Sequence, residues 1–235
     1  MKIISFAAQL ALLAYNNKPS VEGYIVRPFV SGNVQGFTAR KGDNLWIVFC
    51  GTNDAQDWLD NLNARKIERA LGCVHAGFDL ALDEVWNDVL AETGHNRWTS
   101  AHFVGHSLGG ALAALAASRM VHSSFSIHQY LWTFGQPRCG DELWSEAMNF
   151  YMQDKYTRVF NAGDPVPHLP TCWRFAHAGR ELFFDHDGWK AKSSWWSRVS
   201  EAFKALVTSR KAPLATLNAH SMYTYRGNVA FLGSI

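Results

Sequence analysis

The sequence predicts an α/β fold, a central and mostly parallel sheet with helices on both faces. Three observations carry this. Beyond the first quarter of the chain, strand-like apolar runs alternate with helical segments, and that alternation builds parallel strands joined by helices packed on the sheet. The chain has 235 residues, enough for a full-sized core. It shows no repeat, no low-complexity segment and no linker, so residues 1–235 are expected to form a single domain.

The first element is expected in "MKIISFAAQLALLAY", where Phe6, Leu10 and Leu13 recur at helical spacing. Lys2 followed by a short apolar run resembles a signal peptide, but the periodicity favours a retained amphipathic helix packed on the domain. A cytoplasmic protein is therefore expected, or one released by a non-standard route. Strand-like runs follow in "YIVRPFV", "VQGFTAR" and "LWIVFC", separated by turns containing glycine. "DAQDWLDNL" reads as a short helical segment. In "GFDLALDEVWNDVLAET", Phe78, Leu82, Val85, Trp86 and Val89 line one face of a helix. The alternation then continues through "AHFVGH", the alanine-rich run after Ser107, "SIHQYLWTFG", "DELWSEAMNFYMQ" and "YTRVFN". "SSWWSRVSEAFKAL" is a further amphipathic stretch, expected to pack on the sheet.

Composition narrows the function classes. Charged residues make up 18% and apolar ones 48%, a globular balance. A net charge of +2 with no basic stripe argues against a nucleic-acid partner. No apolar run reaches transmembrane length. Cys50, Cys73, Cys139 and Cys172 are widely spaced, without the pairing expected of a zinc site, and read as free thiols. In "DHDG", at 185–188, adjacent side chains point in different directions, so a solvated turn is expected and no metal.

The chemistry is announced by "FVGHSLGGALAALAASRM". A strand-to-helix turn with glycine two residues before and two after a serine is the pattern of a nucleophile elbow, which makes Ser107 the candidate nucleophile. A serine hydroxyl is a poor nucleophile at neutral pH and needs a base, itself held by a third group. The carboxylates after it are Asp141, Asp154, Asp164, Asp185 and Asp187. Of these, Asp164 directly follows a strand-like run, "YTRVFNAGD", which puts it at a strand's carboxyl end. Among His168, His177, His186 and His220, the last stands alone near the C-terminus, where the final member of such a triad belongs.

At this point the residues show a family. "LWIVFCGT", "VHAGF", "FVGHSLGGALA", "TFGQPRCGD", "RVFNAGDPVPHLP" and "HSMYTY" resemble, in order and separation, the motifs of the class 3 lipases. That group contains fungal triacylglycerol lipases, feruloyl esterases and plant phospholipases. The resemblance implies an α/β-hydrolase fold with a short helical lid, and Ser107, Asp164 and His220 as the triad. It also implies an oxyanion hole made by the backbone N–H groups of Leu108 and Thr52. Residues 53–65 take the place of the lid, with Trp58, Leu59 and Leu62 on its apolar side. Together with Val166 they stand at lid and substrate-binding positions. Many members carry arginine where this chain has Cys50. His75 and His106 are expected to be structural.

The function implied is that of a serine ester hydrolase, most simply a lipase acting on acylglycerols through an acyl-enzyme. A feruloyl or short-chain carboxylesterase, a phospholipase A1 and a non-catalytic binding protein on the same fold are the alternatives. The expected partner is a lipid or small ester, met in transient contact with a lipid–water interface. No cofactor or metal is called for.

Overall fold

The N-terminal helix α1 (Lys2–Leu13) buries Ile4, Ala7, Ala8, Leu10 and Ala11. The contact is thus carried mainly by an alanine stripe, while Phe6 and Leu13 are only half-buried at its edge. Small side chains let a helix approach a sheet closely, a feature that counting large apolar residues does not reveal. The computed structural model describes residues 2–51, 65–94, 98–121, 128–170, 174–185, 188–190 and 218–231.

An eight-stranded sheet follows, built from β1 (Ile25–Ser31), β2 (Val34–Lys41), β3 (Asn44–Phe49), β6 (Ser100–His106), β7 (His128–Phe134), β8 (Tyr156–Asn161), β9 (Arg180–Asp185) and β10 (Gly188–Lys190), side by side in that order. The run β3-β6-β7-β8-β9 is parallel, and the strands at either end are antiparallel. Pro28 lies in β1, an edge strand, where a missing backbone donor does little harm. A separate hairpin joins β4 (Lys66–Arg69) to β5 (Gly72–His75). The helices are α2 (Ala76–Thr93), α3 (Leu108–Val121), α4 (Glu142–Met152) and α5 (Met222–Phe231). The hairpin, β9, β10 and α5 were not expected from the sequence. The ends of "DHDG" belong to strands: Asp185 closes β9, Gly188 opens β10, and the two pair.

Alternation along the strands divides the apolar side chains between two cores. In β3, Leu45, Ile47 and Phe49 face a core made with α2, α3 and α4. Trp46 and Val48, with Cys50 just beyond the strand, face a second core made with α1 and α5. Both faces of the sheet are therefore covered, as expected. Within α2, Phe78, Leu82, Val85 and Val89 are buried. Trp86 is only half-buried, beneath the guanidinium of Arg119 at 5.0 Å from its ring. His75 caps α2, its Nδ1 accepting from the Phe78 N–H at 3.4 Å.

The parallel register brings successive strand ends to one edge. Phe49 pairs with Gly105, and His106 with Phe134. Ser107 N–H donates to Phe134 O and Gly135 N–H to Val159 O, both at 2.9 Å. Cys50, Ser107, Gly135 and the turn after Asn161 consequently stand at the carboxyl end of the sheet, where open α/β sheets place their sites.

Candidate active site

Ser107 has φ +57°, a left-handed conformation that costs a non-glycine residue roughly 1–2 kcal/mol. The two flanking glycines make the bend possible. A Cβ on Gly105 would lie 2.0 Å from Gly109 O, inside the start of α3. One on Gly109 would lie 2.4 Å from Phe49 O, inside the end of β3. Spacing of minus two and plus two is thus required where strand and helix cross. The turn raises Ser107 at the head of α3, whose first N–H groups, Leu108 among them, have no intrahelical acceptor.

Asp164 and His220 meet at the same edge. The turn after β8 carries Asp164, which is fully buried. His220 Nδ1 donates to its carboxylate, at 2.9 Å from Oδ2 and 3.0 Å from Oδ1. Val166 N–H donates to Oδ1 at 2.9 Å, and the Tyr225 hydroxyl donates to Oδ2. Burial, and then the neighbouring Asp164, hold the Tyr225 hydroxyl well above its ordinary range, so it serves as a donor. Three donors leave the carboxylate little freedom to rotate. With its Nδ1 proton committed to Asp164, His220 presents the Nε2 lone pair. Among the described residues neither His220 Nε2 nor Ser107 Oγ has a hydrogen-bond partner, although both atoms are buried. A buried hydroxyl and a buried basic nitrogen left open are costly for stability and suited to receiving a reacting group.

The sequence did not single out Tyr225, Asn161 or Gly135. Tyr225 lies on α5, where its hydroxyl also accepts from Asn161 N–H at 3.2 Å. Asn161 Nδ2 donates to Ala219 O at 3.1 Å, tying the His220 turn to β8. Gly135 has φ +56°, and a Cβ there would lie 2.9 Å from Asp164 Oδ2. The glycine in "TFGQPR" and the second tyrosine of "SMYTYR" were the available signals.

The other candidates have different work. Asp141 caps α4, accepting from Trp144 N–H at 3.0 Å. Asp154 lies in a 3-10 turn, Gln153–Lys155. Asp185 ends β9, the strand beside β8, whereas it is Asp164 that His220 Nδ1 meets. His177 Nε2 donates to Pro167 O at 2.6 Å, and burial lowers its pKa strongly. His168 is also lowered by burial, and then by Arg138. Val166 is buried and contributes its amide to Asp164. Asp187 and His186, and with them Thr52 and the lid residues Trp58, Leu59 and Leu62, lie outside the described residues. Gly51, the residue before Thr52, lies against the nucleophile, since a Cβ on it would sit 3.2 Å from Ser107 Cβ. Cys50 is a buried thiol accepting from Gln35 Nε2 at 3.5 Å, and burial pushes its pKa up to about 11. Among the described residues no group of three His, Cys, Asp or Glu side chains is disposed to hold a metal ion.

Comparison with known proteins places this geometry. A solved triacylglycerol lipase, whose catalytic centre is described as a serine protease triad, superposes with a TM-score of 0.70 at 24% identity, covering 78% of this chain and 79% of that one. Lipase II from Rhizopus niveus gives 0.68 at 25% identity, covering 77% and 79%. The shared architecture is the α/β-hydrolase fold. Among curated proteins, the lipase of Rhizomucor miehei is 33% identical over 159 residues, 61% of this chain and 43% of that protein. "Secreted mono- and diacylglycerol lipase 1" of Fusarium solani is 31% identical over 143 residues, 57% of this chain and 42% of that protein. The matches thus span well under half the length of these curated relatives. The secreted relative corrects the cytoplasmic location expected from the N-terminus. That expectation rested on an amphipathic helix, and packing periodicity carries no information about export. The family model for lipase (class 3) matches residues 46–173. With a match over more than half its length, the chain belongs to the class 3 lipase family.

Proposed function

We propose that this protein is a serine carboxylic-ester hydrolase that acts on acylglycerols outside the cell. One observation carries the reading: His220 is held on Asp164 through Nδ1, while its Nε2 and the Ser107 hydroxyl, on a strained elbow, are both buried and have no partner among the described residues. In the reaction, His220 Nε2 takes the Ser107 proton as Oγ attacks the ester carbonyl. Leu108 N–H, with Thr52 N–H as the expected second donor, receives the developing oxyanion. His220 then protonates the departing alcohol, leaving an acyl-Ser107. Water, deprotonated by the same nitrogen, attacks the acyl carbon and releases the acid while the proton returns to Ser107. Asp164 stabilises the imidazolium at each stage and is not itself protonated. The acylglycerol preference and action outside the cell are both supported by the Fusarium relative, a secreted mono- and diacylglycerol lipase. A phospholipase reading draws on "Phospholipase A1-II 1" of Oryza sativa, 28% identical over 59% of this chain.

The test is Ser107→Ala, assayed on mono-, di- and triacylglycerols, phosphatidylcholine and methyl ferulate. Hydrolysis is expected to vanish while the folded protein persists, and a serine-directed phosphonate should label Ser107 alone in the wild type. Full activity in the variant would refute the assignment. Faster turnover of phosphatidylcholine than of any acylglycerol would move the substrate to phospholipid.

A further inference from the structure

His106, the residue before the nucleophile, is buried at the end of β6 and plays no part in the proton transfers above. Its Nε2 is 2.7 Å from the carbonyl oxygen of His220, and its Nδ1 is 2.6 Å from the Tyr15 hydroxyl. A carbonyl oxygen can only accept, so Nε2 carries the proton and donates to His220. Nδ1 is then a lone pair, and the Tyr15 O–H donates to it. The Tyr15 hydroxyl also lies against Gly51, just before the expected oxyanion donor Thr52, since a Cβ on that glycine would sit 2.4 Å from it. Both ends of the imidazole are matched to one tautomer. Burial, and then the nearby His220, hold its pKa well below the ordinary histidine value, so the ring is neutral. Burial keeps the Tyr15 hydroxyl protonated as well.

We propose that His106, oriented by Tyr15, is a positioning residue for ester hydrolysis: it ties the backbone of His220 to the elbow carrying Ser107 and so sets the base against the nucleophile. The proposal rests on Ser107 and His220 being nucleophile and base. Geometry gives it force. The backbone of the His220 turn is gripped from two strands: Asn161 Nδ2 donates to Ala219 O and His106 Nε2 to His220 O. The His106 anchor is covalently adjacent to Ser107, so it fixes the distance that matters for the proton transfer. A misplacement of about 1 Å between reacting groups costs on the order of a hundredfold in rate. The ring centroids of His106 and His220 are 4.7 Å apart, and a neutral His106 adds no repulsion when His220 becomes the imidazolium. Substrate touches neither His106 nor Tyr15 in this scheme, so the effect belongs in kcat.

The experiment begins with Tyr15→Phe, which keeps the ring and removes the donor. With Nδ1 no longer held as an acceptor, His106 can take the other tautomer and turn a lone pair on the His220 carbonyl. In this variant kcat is expected to fall roughly ten- to a hundredfold, the range a lost buried hydrogen bond corresponds to, with KM within about twofold of wild type. His106→Phe should fall further, and His106→Gln, whose amide can still donate to His220 O, should recover much of the loss. Spectra of 15N-histidine-labelled wild type should show His106 neutral, protonated at Nε2, across the active pH range. An unchanged kcat in folded Tyr15→Phe, equal activity of His106→Phe and His106→Gln, or a proton on Nδ1 would each overturn the proposal. If His106→Phe does not fold, Tyr15→Phe and the spectra still decide. Phosphonate labelling runs in parallel. A wild type that turns over ester without labelling at Ser107 would defeat the serine reading and the proposal together, whereas an unchanged kcat with labelling intact defeats the positioning role alone.

Discussion

Replacing Tyr225 with phenylalanine tests the arrangement behind the triad without touching an atom that reacts. The ring is fully buried and packs 5.6 Å from His106 and 6.3 Å from Phe134, and phenylalanine keeps those contacts. Only the hydroxyl is lost, with two hydrogen bonds: the one it donates to Asp164 and the one it accepts from Asn161 N–H. A hydrogen bond to a charged group is worth about 1.5–3 kcal/mol, and an orphaned buried N–H costs about 1–3 kcal/mol. The two losses overlap, because the neighbours relax together, so a destabilisation of about 2–4 kcal/mol is expected. Asp164 keeps its bonds from His220 and Val166 but gains freedom to rotate, which should lower kcat about tenfold by loosening the imidazole. The assay is urea unfolding with a shared m-value, together with kcat on a soluble ester. Tyr223→Phe is the control, because Tyr223 is 69% exposed and belongs to no part of this network. A Tyr225→Phe protein as stable and as active as wild type would refute the reasoning, since the hydroxyl would then contribute neither to the fold nor to the acid.

Two other outcomes follow from the same structure. Asp164→Asn should lower kcat by about four orders of magnitude, as expected when the base is left in the wrong tautomer, whereas Asp141→Ala should cost about 1 kcal/mol of stability through the lost α4 cap and leave kcat unchanged. Steady-state kinetics and thermal melts of both variants check this, and the reverse pattern would mean that the wrong carboxylate has been chosen. Burial lowers the pKa of both His75 and His102 to about 4, so the unfolded chain binds more protons than the fold between there and about 6.5. Stability conferred by the neutral rings is complete above that window and is lost as pH falls through it, which denaturant midpoints at several pH values will show. His102 is stacked between Trp46 and Tyr130, at 4.1 and 4.7 Å, so His102→Gln should shallow the slope.

By itself the sequence determined the fold class, the elbow and a choice of acid and base. These are local signals. GxSxG records a crossing of strand and helix too tight for any Cβ at Gly105 or Gly109, and chain order placed Asp164 and His220 after it. Apolar-rich runs marked β3, β6, β7 and β8 because strands covered on both faces are largely apolar, even though polar residues such as His102 and Arg158 are buried among them. Only the tertiary structure decided how α1 packs, since its alanine stripe becomes a contact surface only against a particular sheet. β9 and β10 likewise escaped the reading, as RELFFD and GWK acquire strand structure through pairing with neighbours. The network around the triad was also out of reach. Tyr15 and His106 are 91 residues apart, and His106 and His220 are 114 apart, separations over which sequence carries no distance. The parallel sheet brings these residues to one edge, and burial then obliges their polar atoms to find one another.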